Sequence, residues 1–121
     1  MIVYSSRTGN VKFIAKNISD NNVEIEDGMM VNEPFILITY TDLLGEIPKI
    51  VSEFMTKNHG QCKGVVGSGN SNFGHRYFCM AAEKISKLYD IPLIKKVELR
   101  GFPKDYDEIK LKYKILIEGD N

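Results

Sequence analysis

Residues Val3 to Val11 read VYSSRTGNV, and within them Ser5, Ser6 and Thr8 bring three hydroxyls and Gly9 one glycine into a single tight turn. Two β-formers run into this turn and a helical pattern leaves it, with Val11, Ile14, Ala15 and Ile18 at helical spacing. The first turn of a helix has unpaired N–H groups and a partial positive charge, so a phosphate suits it. The Ser6 and Thr8 hydroxyls, with the N–H groups from about Arg7 through Gly9 and Asn10 to Val11, match the oxygens of a phosphomonoester. The long Arg7 side chain is expected to stay in solvent. No Gly-Lys-Ser/Thr ending follows, so the turn is not that of a nucleoside-triphosphate loop, and the Gly-rich dinucleotide fingerprint is also missing. The same residues would also serve as plain helix caps, and at this point both readings stand.

A second stretch, Gly67-Ser68-Gly69-Asn70-Ser71-Asn72-Phe73-Gly74, holds three glycines, two asparagines and one aromatic. Glycine lets backbone groups approach a flat ligand. Asn70 and Asn72 offer both donors and acceptors, as the pyrimidine-like edge of a flavin requires. Phe73 suits stacking on a ring. Asparagine and glycine also tolerate positive φ, so a surface loop without a ligand remains the alternative. A third stretch, Tyr40-Thr41-Asp42-Leu43-Leu44-Gly45, sets two leucines in a turn. They would cover a ring face or dock a partner. His59 and His75 read as surface histidines.

The elements that must position these turns alternate in period. Ile2–Ser5 is a short apolar run, Val23–Glu26 alternates as a half-wet strand, and Phe35–Tyr40 is a continuous buried strand. Ile47, Ile50, Val51, Phe54 and Met55 form a second helical stripe, with Pro48 in its first turn. Cys62–Gly69 is a fourth strand, Phe78, Ala82, Ile85 and Tyr89 a third stripe, and Pro92–Leu99 a fifth strand. In the tail, Ile109, Leu111, Tyr113 and Ile115 alternate as in a strand, yet Asp105 reads as an N-cap and a five-stranded sheet needs a last covering helix. A helix over 105–119 is expected. Strands alternating with helices predict an α/β fold, a doubly wound parallel five-stranded sheet in the order 2-1-3-4-5, in one domain over 1–121. The three unusual turns follow strands one, three and four, so all emerge at the carboxyl edge, where ligands of such sheets bind.

Composition narrows the function classes. Sixteen basic and sixteen acidic side chains cancel, and nothing in the balance points to a nucleic-acid footprint or a polybasic membrane patch. No apolar run approaches a membrane span and Met1-Ile2-Val3 lacks a signal peptide's basic start, so a cytoplasmic protein is expected. Cys62 and Cys79 are too few for a disulfide framework and read as buried thiols.

In order and spacing, SSRTGNV, ILITYT, GEIP and GSGNSNFG resemble the NrdI family, the small flavodoxin-like FMN proteins that serve class Ib ribonucleotide reductase. The resemblance runs from Met1 to about Leu99 and more weakly beyond. It implies FMN with its phosphate on Ser5–Val11 and its ring between Tyr40–Gly45 and Gly67–Gly74. It further implies an electron-donor reductase, molecular oxygen as acceptor, and superoxide or peroxide passed to the dimanganese radical subunit to generate its tyrosyl radical. No catalytic side chain and no metal ligand of this chain are expected, because the flavin carries the chemistry. The family often has glycine where Leu43 stands and arginine where Ser71 stands. The first departure touches one-electron chemistry, since in flavodoxin-like proteins a peptide of this turn can turn over on reduction. Two other classes share parts of the pattern. A general flavodoxin-type electron carrier shares every turn. A signalling receiver needs acidic residues after strand one and an aspartate ending strand three, where this chain has Ser5-Ser6 and Tyr40.

Overall fold

The computed structural model describes residues 1–119, with Phe73 and His75 described by their backbone alone. The chain runs β1 (Ile2–Tyr4), α1 (Asn10–Ile18), β2 (Asn22–Glu24), β3 (Phe35–Tyr40), α2 (Lys49–Asn58), β4 (Cys62–Gly69), α3 (Met80–Tyr89), β5 (Leu93–Glu98) and α4 (Pro103–Leu116), with a short 3-10 turn after α2 and two between β4 and α3. All strand pairs are parallel, in the order β2-β1-β3-β4-β5. The expected fold is therefore the observed one.

Side-chain alternation explains the layering. Ile2 and Tyr4 of β1, with Ile36 and Ile38 of β3 and Val66 of β4, face the layer built by Val11, Ile14, Ile18 of α1 and Tyr106, Ile109, Tyr113 of α4. Val3, Phe35, Leu37 and Val65 face the opposite layer, where Val51, Phe54 and Met55 of α2 and Ala82 and Ile85 of α3 pack. Central strands wet on neither side need both alternating sets apolar, which is why β1 and β3 read as continuous apolar runs.

Several boundaries differ from expectation. β1 ends at Tyr4, before Ser5, and α2 starts at Lys49, with Pro48 as its N-cap and Ile47 ahead of it. β2 ends at Glu24, although Ile25 N–H still donates to the Tyr4 carbonyl at 2.7 Å and the Ile25 side chain is buried. α3 starts at Met80 because Cys79 has a left-handed backbone, φ 54°, which leaves Phe78 before the helix. α4 starts at Pro103, and Asp105 is not its N-cap. The cap is Phe102, whose N–H donates to Asp105 Oδ2 at 2.8 Å, so the carboxylate satisfies the helix start from its third position. On this helix Ile109 and Tyr113, four apart, are buried while Leu111 and Ile115 are exposed. Finally, β5 stops at Glu98, and Leu99 turns away with φ 52°.

Candidate functional site

A cleft of about 560 Å³ opens at the carboxyl ends of the central strands. That volume is within the range of roughly 300–1,000 Å³ usual for small-molecule sites. Ser6, Arg7, Thr8, Asn10 and Val11 line it from the β1–α1 turn. Tyr40, Thr41, Leu43 and Leu44 line it from the end of β3, and Ser68, Gly69 and Asn70 from the end of β4. Tyr77 and Leu99 complete the lining, and the sequence reading named neither as a site residue.

At the β1–α1 turn, Gly9 precedes the helix with φ 93°, a conformation open to glycine and costly for other residues. The Ser6 hydroxyl accepts from the N–H groups of Gly9 at 3.2 Å and Lys12 at 3.3 Å. The N–H groups of Arg7, Thr8, Asn10 and Val11 donate to no protein acceptor among the described residues, and the Thr8 and Asn10 side chains likewise have no partner there. The cap reading and the ligand reading thus divide the turn: Ser6 caps, and the remaining donors are free for an anion. Ser5 is buried behind the turn, with its N–H on the Ile38 carbonyl at 3.3 Å, outside the lining.

Arg7 departs from expectation. Its Nη1 donates to Asp42 Oδ1 at 2.8 Å, and its guanidinium is 5.0 Å from the centroid of the Tyr40 ring. The side chain remains half exposed, but it ties the first turn to the turn after β3. Asp42 itself does not line the cleft; its carboxylate is occupied by Arg7 and by the Leu43 N–H at 3.2 Å.

The turn after β3 is closed by reciprocal backbone bonds between Asp42 and Glu46, at 2.8 and 2.7 Å. Leu43 and Leu44 stand 78% and 74% exposed beside the cleft, and Leu43 has φ 20°. Gly45, with φ 90°, is outside the lining; an added Cβ would sit 2.2 Å from Met80 Sδ and 3.1 Å from Tyr77. The Thr41 hydroxyl accepts from Ala81 N–H at 3.1 Å, capping α3 from across the sheet. Glycine and threonine here dock the turn onto the start of α3.

The glycine-rich stretch also has a task other than the one expected for its first part. Gly67 and Gly69 belong to β4, and a Cβ on Gly67 would lie 2.8 Å from the Ala82 Cβ. Gly67 lets α3 close on the sheet and does not line the cleft. Beyond β4, Asn70 Oδ1 accepts from Asn72 N–H at 2.9 Å, and the Glu98 carboxylate accepts from Ser71 N–H at 3.2 Å. Asn72 and Gly74 are outside the lining. The Phe73 ring, expected against the ligand, and the His75 imidazole, expected at the surface, lie outside the described residues' side chains.

Cys62 and Cys79 are buried thiols, as expected; desolvation pushes them up to about 11 and about 12. Among the described residues no cluster suits a metal ion, and no helix is long and apolar enough to cross a membrane.

With this geometry, comparison with known proteins is informative. A family model described as "NrdI Flavodoxin like" matches residues 2–111. Protein NrdI of Bacillus licheniformis is 43% identical over 107 residues, covering 88% of this chain and 81% of that protein. Protein NrdI of Macrococcus caseolyticus is 39% identical over 119 residues, covering 98% and 92%. Among solved structures, a short-chain flavodoxin associated with a PDU bacterial microcompartment superposes with TM-score 0.74 at 20% identity, covering 99% of this chain and 97% of that one. The Streptococcus pneumonia TIGR4 flavodoxin gives TM-score 0.69 at 22% identity, covering 98% and 96%.

Proposed function

The chain belongs to the NrdI flavodoxin-like family, and on that premise we propose that it binds FMN and supports class Ib ribonucleotide reductase. The observation that carries the cofactor assignment is the set of unpartnered N–H groups of Arg7, Thr8, Asn10 and Val11 at the start of α1, opening into a cleft whose far walls are apolar. Those donors, at the edge of the cleft, suit one terminal phosphate. The rest of the donor set fits the group as well. Tyr40, Leu43, Leu44 and Tyr77 offer flat or apolar surface to a ring, and Asn70 offers an amide to a polar ring edge.

FMN held in the cleft would supply the redox chemistry between an electron-donor reductase and O2, the source of superoxide or peroxide for the dimanganese subunit. The protein's own part is to bind, orient and limit access. Thr8 and the free amides would hold the phosphate without a cationic partner. The Arg7–Asp42–Tyr40 contact keeps the two turns that flank the cleft in register. Leu43 and Leu44 leave an apolar rim on which a partner can close, in keeping with a chain of zero net charge.

The purified protein should be yellow, and the flavin released on denaturation should be FMN; release of FAD would sink the cofactor assignment. Mixed with a manganese-loaded radical subunit, reductant and oxygen, the holoprotein should generate tyrosyl radical. Equal reduction of unrelated acceptors, with no radical formed, would favour a general flavodoxin-type electron carrier.

A further inference from the structure

The turn leaving β5 is tightly held beside the cleft, and the proposed function leaves it unexplained. Leu99 has φ 52°, a left-handed conformation that a side chain with a Cβ resists and that glycine adopts freely. Both of its backbone polar groups are held by the end of β4. Leu99 N–H donates to the Gly69 carbonyl at 2.7 Å, and the Ser68 hydroxyl, itself buried, donates to the Leu99 carbonyl at 2.5 Å.

The next residues are pinned as firmly. The Tyr106 hydroxyl donates to the Arg100 carbonyl, and the Arg100 guanidinium lies 4.7 Å over the Phe13 ring. Gly101, φ 73°, returns its N–H to the Glu98 carbonyl at 2.8 Å, and a Cβ there would be 2.6 Å from Val97 Cγ1. A glycine at 99 would make the same turn without strain. What the strained residue adds is its side chain, which lines the cleft and remains 42% exposed. Strain of this kind persists where the surroundings over-determine it, and it concentrates at ligand clamps.

We propose that Leu99 is a binding residue of the cleft, pressed by the Ser68–Gly69 clamp against the organic part of the flavin and not against its phosphate. The topology supports the second half of that statement. β5 is separated from β1 by β3 and β4, three strand spacings or about 14 Å, whereas the phosphate donors all follow β1. Ser68 acts through Leu99 and is a positioning residue: its hydroxyl proton is committed to the Leu99 carbonyl.

This inference rests on the flavin reading above, and the test separates the two. The apoprotein is titrated with FMN and with riboflavin, following quenching of flavin fluorescence, for the parent, Leu99→Asn and Leu99→Met; each apoprotein is also melted. Asparagine tolerates the left-handed backbone, so Leu99→Asn should melt close to the parent. It should bind both flavins more weakly by the same factor, on the order of fivefold for lost apolar cover. Leu99→Met should restore both affinities to within about twofold, since it returns the apolar volume. Unchanged affinity in Leu99→Asn would overturn the inference, as would a loss confined to FMN. A fall in apoprotein melting temperature that accounts for the lost binding would also overturn it, leaving Leu99 a structural residue. Failure of the parent to bind either flavin would instead overturn the reading of the cleft itself.

Discussion

Replacing Asp42 by asparagine separates two accounts of Arg7, because they predict opposite signs. In the structure the guanidinium is engaged by the Asp42 carboxylate at 2.8 Å and by the Tyr40 ring at 5.0 Å, so it braces the two turns that flank the cleft. The ion pair is single-pronged and its side chains are 56% and 36% exposed, which places it in the surface class worth about 0.2–1 kcal/mol. The exposed cation–π contact adds about 0.5–1 kcal/mol. If the brace pre-organises the cleft, Asp42→Asn should weaken FMN binding by at most about fivefold. Arg7→Gln, which removes both contacts, should weaken it somewhat more. Thr8→Ala should exceed either, at about 1.5–3 kcal/mol, the range for a hydrogen bond to a charged group. A cycle through the Arg7→Gln and Asp42→Asn double variant should return a coupling of about 0.2–1 kcal/mol that shrinks with added salt. If Arg7 were instead the phosphate's counter-ion, Asp42→Asn would release it and tighten FMN binding. Tighter binding in that variant, or Arg7→Gln costing more than Thr8→Ala, refutes the neutral cradle.

Three further outcomes follow from named contacts. Gly45→Ala forces a Cβ to 2.2 Å from Met80 Sδ at φ 90°, so urea denaturation should show a loss of about 1–3 kcal/mol; an unchanged midpoint would mean the turn is not docked on α3. Leu43, at φ 20°, is on the side of φ that glycine takes freely, so if its turn reverses a peptide on reduction, Leu43→Gly should raise the first reduction potential by some tens of millivolts, at roughly 59 mV per 1.4 kcal/mol. An anaerobic titration against a reference dye decides it, and an identical potential removes Leu43 from the moving peptide. Burial raises Cys62 from 9.0 to about 11 and Cys79 from 9.0 to about 12, so the folded state favours the protonated thiols. Their contribution is complete below pH 9.0 and is lost as pH rises toward 11 and 12. The melting temperature should fall across that window and fall less steeply in Cys62→Ala; parallel curves would show that the Cys62 thiol does not titrate on unfolding.

What the sequence by itself determined is the part encoded by local pattern. Strands buried on both faces read as unbroken apolar runs, and α1 announces itself by Val11, Ile14, Ala15 and Ile18 on one side. That alternation dictates parallel crossovers, and so brings the turns after β1, β3 and β4 to one edge before any contact is known. Membership of the family was legible for the same reason, since turn chemistry is written in consecutive residues. The tail was legible only through its need to cover a sheet, because Ile109, Leu111, Tyr113 and Ile115 satisfy a strand's period, and burial of Ile109 and Tyr113 alone was settled by packing against α1 and β5. The tertiary structure decided everything that joins residues distant in the chain: Arg7 with Asp42, Gly45 with Met80, Thr41 with Ala81, Ser68 with Leu99. A glycine's spelling does not say what its missing side chain makes room for. Only the sheet order shows that Gly67 and Gly69 both admit the start of α3, Ala82 and Cys79 against the first and Phe78 and Cys79 against the second, while Gly69 alone of the two also lines the cleft. Leu99 was read as the last residue of a strand because its type favours one; the clamp from β4 overrides that propensity, since two hydrogen bonds and a pinned turn outweigh the modest cost of a left-handed leucine.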